Sequence, residues 1–141
     1  MTSFVVILSA GILFLIGLIH VYWGLGGRLG KGNALPMKED GTGLVFIPRK
    51  IGTCIVAFVI LFFSLTLLAQ GGYLPFYQAN TFTKWACLLF ALIFLVRAIG
   101  DFKYIGMFKK VKGSKFAKYD TWLYSPLCLY LTLSFVVAVS M

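Results

Sequence analysis

Phe82-Thr-Lys84-Trp85-Ala-Cys87-Leu-Leu-Phe-Ala-Leu-Ile-Phe-Leu-Val-Arg97-Ala-Ile-Gly100-Asp101-Phe102-Lys103-Tyr104-Ile-Gly106-Met107-Phe108-Lys109-Lys110-Val-Lys112-Gly-Ser-Lys115-Phe116-Ala-Lys118-Tyr-Asp120 is a stretch of two unlike halves. Residues 82–100 are almost wholly apolar and contain no carboxylate. As a helix rising ~1.5 Å per residue they match a hydrocarbon core ~30 Å thick. The second half interleaves lysines with aromatics and closes on Asp120, just before another apolar run. A span that ends in a short basic loop is the pattern of a polytopic membrane protein.

Working outward, the same pattern recurs. Apolar runs cover residues 3–24, 51–70, 82–100 and 121–140, and these are the predicted spans of one four-span domain, 1–141. The expected fold is all-α, a four-helix transmembrane bundle. Composition agrees: 60% of residues are hydrophobic and 12% are charged, about half the charge of a soluble domain. Mean hydropathy is +0.94. The net charge of +9 could suggest nucleic acid, but the cations lie in loops between apolar runs, so nucleic-acid binding is not expected. The first run lacks a basic start and a small-x-small cleavage pattern, so it reads as a mature span.

In the first span Ser3, Ala10, Gly17 and Gly24 fall on a heptad and read as a packing face. In the second, Ala57 and Ser64 do the same, with Gly71 in register. Pro48 is placed in the first turn of the second helix and Gly71-Gly72 at its end. Thr81 or Thr83 is the expected N-cap of the third span. Ser125-Pro126 suits an N-cap and first turn, but a start there leaves the fourth span short. Residues 119–124 therefore add a turn, with Pro126 as a tolerated kink. Tyr22 and Trp23 mark one interface belt, and Tyr73, Phe76 and Tyr77 another.

Four spans put loop one (residues 25–50) and loop three, the basic stretch that follows residue 100, on one face. Loop one carries Arg28, Lys31, Lys38, Arg49 and Lys50; the opposite face carries only Lys84. The positive-inside rule then places loops one and three in the cytoplasm and both termini outside, in a plasma membrane. A faint echo relates Leu18-Ile-His20 and Gly24 to Leu95-Val-Arg97 and Gly100, as a 2+2 internal repeat would.

Few residues can carry chemistry. Gly26-Gly27-Arg28-Leu29-Gly30-Lys31-Gly32 is not a phosphate loop, because Leu25 and Gly32 stand where glycine and a hydroxyl are required. Cys54, Cys87 and Cys128 form no close pair and read as packing residues. One histidine without a neighbouring carboxylate excludes bis-imidazole haem and a metal site. No cofactor is expected. Arg97 is an ionisable group inside a span, which makes it a functional candidate. Its plain alternative is snorkelling, or pairing with Asp101 one turn on. Arginine ahead of aspartate is the weaker orientation, so Asp120 or a lipid phosphate competes for the guanidinium. His20, on the small-residue face of the first span, could meet Arg97, or simply be a hydrogen-bonded core group. Asp101 and Asp120 are either a helix-end partner and an N-cap, or part of a polar ligand-binding cluster with His20, Arg97 and Tyr124. Lys103, Lys109, Lys110, Lys112, Lys115 and Lys118 set topology, and with Phe102, Tyr104, Met107, Phe108 and Phe116 they suit contact with anionic lipids.

Arg97-Ala-Ile-Gly-Asp101-Phe-Lys-Tyr-Ile-Gly106, Phe116-Ala-Lys-Tyr-Asp120 and Tyr124-Ser-Pro-Leu-Cys128-Leu, with His20-Val-Tyr-Trp23-Gly-Leu-Gly-Gly27 near the start, form a set. They resemble the motifs of a family of small bacterial four-helix membrane proteins, the domain of unknown function numbered three-nine-nine-five. The resemblance implies the fold and a membrane location, and brings no activity. Multidrug exporters of this size need a glutamate in the first helix, and quinone-linked thiol reductases a C-x-x-C; both are missing. The expectation is a non-enzymatic protein binding a lipid or protein partner at the cytoplasmic face. The alternatives are an oligomeric anion or proton transporter or channel subunit, and an interfacial enzyme acting on lipid headgroups.

Overall fold

A computed structural model describes residues 2–141. Its four long helices are α1 (Thr2–Gly24), α2 (Lys50–Gln70), α3 (Thr81–Ile99) and α4 (Lys115–Val139). Each is long and apolar enough to cross a membrane. The only strand-like pairing among the described residues is an isolated bridge, Met37 to Leu44, in loop one. The expected all-helical four-span fold is the one observed.

The bundle is two hairpins side by side. α1 packs chiefly on α2, and α3 on α4, with smaller α2–α3 and α1–α4 seams. Small residues set the first hairpin's spacing. A Cβ on Gly17 would meet Leu61 Cδ2 at 2.6 Å, and one on Gly24 would meet Cys54 Sγ at 2.5 Å. Ala10, Gly17 and Gly24 are buried in this face, whereas Ser3 is exposed and takes no part. Without a hydrophobic drive inside lipid, such close approach gives the dispersion contact that holds helices together. Where the hairpins meet, Phe63, Phe90 and Phe135 interlock, with centroids 4.0 Å apart for Phe63–Phe90 and 5.8 Å for Phe90–Phe135. Ser9 Oγ donates to Ser134 Oγ at 2.7 Å, and Ser64 Oγ to the Ala10 carbonyl at 2.8 Å, so both buried hydroxyls are satisfied between helices.

Several helix ends depart from expectation. Neither Thr81 nor Thr83 caps α3. Asn80 does, accepting from the N–H groups of Phe82 and Thr83 while Thr83 Oγ1 accepts from Asn80 N–H. That is a reciprocal capping box in which threonine takes the place of the usual acid. Pro48 lies outside α2, whose N-cap is Arg49. Gly71 ends α2 as expected, followed by Gly72 at φ 75°. The largest change is in α4. It begins at Lys115, capped by Ser114 Oγ on Ala117 N–H at 3.0 Å. It then widens into a π-turn over Asp120–Tyr124, in which Ser125 N–H bonds to the Asp120 carbonyl. Ser125 is therefore interior rather than an N-cap. Pro126 has no N–H and its ring crowds the carbonyl four residues back. One widened turn ahead of it accommodates both defects without breaking the helix.

Candidate functional site

Loop three is not an open basic loop. Gly100 (φ 85°) and Gly106 (φ 91°) lie against each other, and a Cβ on either would collide with the other's backbone segment. This contact folds the loop back onto the end of α3. Met107 N–H donates to the Ala98 carbonyl at 2.9 Å, and Asp101 N–H to the Ile105 carbonyl at 3.2 Å. Asp101 Oδ1 accepts from the N–H groups of Lys103, Tyr104 and Ile105 at 2.9, 2.7 and 2.9 Å. Partial burial pushes its carboxyl up, but the N–H groups of Ile105, Lys103 and Tyr104 outweigh it and hold the pKa below the ordinary value. Asp101 thus organises the turn. It is not the partner of Arg97.

The fold-back delivers Gly106 and Lys109 to the π-turn of α4. There Asp120, fully buried, holds three elements at once. Its Oδ1 accepts from Arg97 Nη2 at 2.8 Å. Its Oδ2 accepts from Gly106 N–H at 2.7 Å and from Lys109 Nζ at 3.1 Å. Lys109 Nζ also donates to the Gly106 carbonyl at 3.0 Å and to Thr121 Oγ1 at 2.6 Å, which uses all three of its protons. A buried carboxylate is tolerable only when paired and hydrogen-bonded in this way. The expected N-cap role of Asp120 is overturned, because α4 starts five residues earlier and Asp120 faces the bundle.

The remaining candidates fall around or away from this cluster. Arg97 lies in the last turn of α3, its side chain about a third exposed, where the helix dipole favours a cation. Its Nη1 is buried without a partner, as are Ser125 Oγ and Tyr130 OH. Tyr124 OH donates to the Asn33 carbonyl of loop one at 3.3 Å, and the ring stacks near Tyr119 and Phe116. His20 does not join. Its Nδ1 donates to the Ile16 carbonyl at 2.8 Å and its ring meets Trp23 edge-on at 5.0 Å. α1 stands across the bundle diagonal from α3, which is why the two ends do not meet. Of the proposed lipid-contacting residues, Lys109 and Phe116 are only 3% exposed and are withdrawn from that surface. Lys103, Lys110, Lys112, Lys115 and Lys118 are exposed.

Gly106, Thr121 and the burial of Lys109 escaped the sequence reading. The available signal was a pair of glycines bracketing Asp101–Ile105, a spacing that lets a loop close on itself. Among the described residues, no group of three or more His, Cys, Asp or Glu side chains could hold a metal ion.

The fold and this cluster define a multi-pass membrane protein with a buried ion network sealing one end of its bundle. The chain belongs to the family described as Protein of unknown function (DUF3995), whose model matches residues 13–135. That match runs from α1 to α4 and contains Arg97, Lys109 and Asp120. No curated protein and no solved structure matches the chain.

Proposed function

We propose that this protein is a non-enzymatic, multi-pass protein of the plasma membrane that binds anionic lipid at its cytoplasmic face. The observation that carries this reading is a charge imbalance at the end of α3. Arg97 and Lys109 share one carboxylate, Asp120, and the Arg97 side chain stays about a third exposed. An excess of basic side chains over carboxylates at the end of a span attracts a phosphate oxygen. The exposed lysines of loop three extend the attraction, each contributing about 1 kcal/mol near an anionic surface. Asp101 and His20 have no part in this reading, since each is committed to its own local hydrogen bonds. Tyr124 acts by tying loop one over the cluster. The excess of Lys and Arg in loops one and three over Lys84 opposite supports a cytoplasmic side for these loops, with both termini outside.

Native mass spectrometry from mild detergent tests the proposal by identifying what stays bound. The expected species is the chain with a retained anionic phospholipid, lost in Arg97→Leu and weakened in Lys110→Gln/Lys112→Gln. Equal retention in Arg97→Leu would remove Arg97 as the anchor. Retention of zwitterionic lipid alone, or of a protein in place of lipid, would overturn the reading.

A further inference from the structure

Phe102 stands out in loop three. It is the one described residue other than glycine with a positive φ, 61°. A Cβ makes this conformation costly, and for a bulky aromatic it is a true outlier, of the kind that clusters at functional surfaces. Asparagine or glycine would sit there freely. The strained residue does not fill a core: Phe102 is 58% exposed, as are its neighbours Met107 at 54% and Phe108 at 63%. The Phe102 and Phe108 rings lie 6.3 Å apart and form one apolar prow, with exposed Met107 beside Phe108 in the chain. Lys103 and Lys110 are exposed beside it.

The prow is held rigidly and at a defined depth. Met107 N–H bonds to Ala98, inside the last turn of the third span. Lys110 and Val111 N–H groups close onto the Lys103 carbonyl at 3.2 and 3.0 Å. The loop is therefore folded back to the level of the end of α3. The polar interface of a bilayer is only about 5–7 Å deep beyond the hydrocarbon on each side. Three large apolar side chains at that level, flanked by lysines, match the acyl–headgroup boundary.

We infer that Phe102, Met107 and Phe108 form a preformed wedge that inserts into the acyl–headgroup boundary of the protein's own membrane leaflet, with Lys103 and Lys110 meeting the phosphates around it. The wedge rests on the loop's depth and exposure, not on the Arg97 anion reading, and either can fail without the other. Its occupant is lipid, because the loop is fixed at span-end depth and ringed by cations. A partner protein is the competing outcome.

The test uses the full chain in phosphatidylcholine–phosphatidylglycerol vesicles, in a Cys54→Ser background so that the introduced cysteine is the accessible one. A nitroxide is attached at Phe102→Cys, at Phe108→Cys, and at Lys112→Cys as a reference on the aqueous side of the loop. Spin-relaxation accessibility then compares collisions with oxygen, which concentrates in lipid, and with a nickel chelate, which stays in water. The expected result is a reversal of the oxygen-to-nickel preference between Lys112→Cys and both phenylalanine sites. Nickel-dominated collisions at residues 102 and 108 would overturn the inference. So would a label that neither reagent reaches, which would assign the surface to a protein. Agreement of the two sites guards against a local effect of either substitution.

Discussion

Asp120 is the residue on which the basic end depends, because three elements lose their common partner without it. Asp120→Asn leaves Arg97 and the 3%-exposed Lys109 facing a neutral amide. Breaking a buried pair of this kind costs about 3–5 kcal/mol. Thermal unfolding in detergent should show that loss, and a smaller one for Lys109→Met, which leaves Arg97 and the Gly106 N–H on the carboxylate. Phe102→Gly should do the opposite, since it removes a left-handed penalty of about 1–2 kcal/mol. A raised unfolding midpoint in that variant is the expected readout. For Asp101, the folded pKa lies below the unfolded one. Its contribution is complete above the unfolded value of about 4 and is lost as pH falls through the lower folded value. Hydrogen-exchange protection of the Tyr104 and Ile105 amides should therefore hold at pH 6 and fall below about pH 4. At this scale the sequence was half legible. That Asp120 could compete for Arg97 followed from pair orientation on a helix. Lys109 and Phe102 could not be read, because burial of one lysine among six and a positive φ at phenylalanine both depend on how the loop closes.

At the scale of elements, α4 carries the sharpest expectation. A π-turn is one residue too many for an α-helix. Deleting Leu123 should restore α register and turn Lys115–Asp120 by about 100° relative to the rest of the helix. Asp120 would then point away from Arg97, and the deletion should destabilise as much as Asp120→Asn does. If the deletion instead unfolds no earlier than the parent chain, the π-turn is not what aims the carboxylate. The α3 cap offers a milder case. Asn80→Ala should cost about 1 kcal/mol by removing the side-chain oxygen that accepts from two backbone N–H groups. The all-helical fold with four spans was readable from the sequence because membrane thickness fixes length and polarity together. Helix ends were less so. Asn80, Thr81 and Thr83 are all chemically able to cap, and only the side-chain geometry decides among them. Pro126 is accommodated inside α4 as expected, but the widened turn ahead of it has no composition signal.

For the whole molecule, topology is the property most open to direct test. Cysteine labelling in intact cells should reach residue 112 only after the membrane is permeabilised, and residue 76 without it. The reverse pattern would invert the orientation argued from loop charge. The arrangement of the bundle was legible only in outline: small residues announced close packing, but not which helices would share it. Each hairpin makes most of its contacts within itself, and the loop of residues 71–80 is the only covalent tie between the pair. That tie is dispensable in principle. A gene cut within residues 73–78 would encode two hairpins, each with its own basic loop to orient it during insertion. The phenylalanine interlock and the Ser9–Ser134 bond remain to bring them together. The two polypeptides, made separately in one cell, should then meet in the bilayer and copurify as a complex.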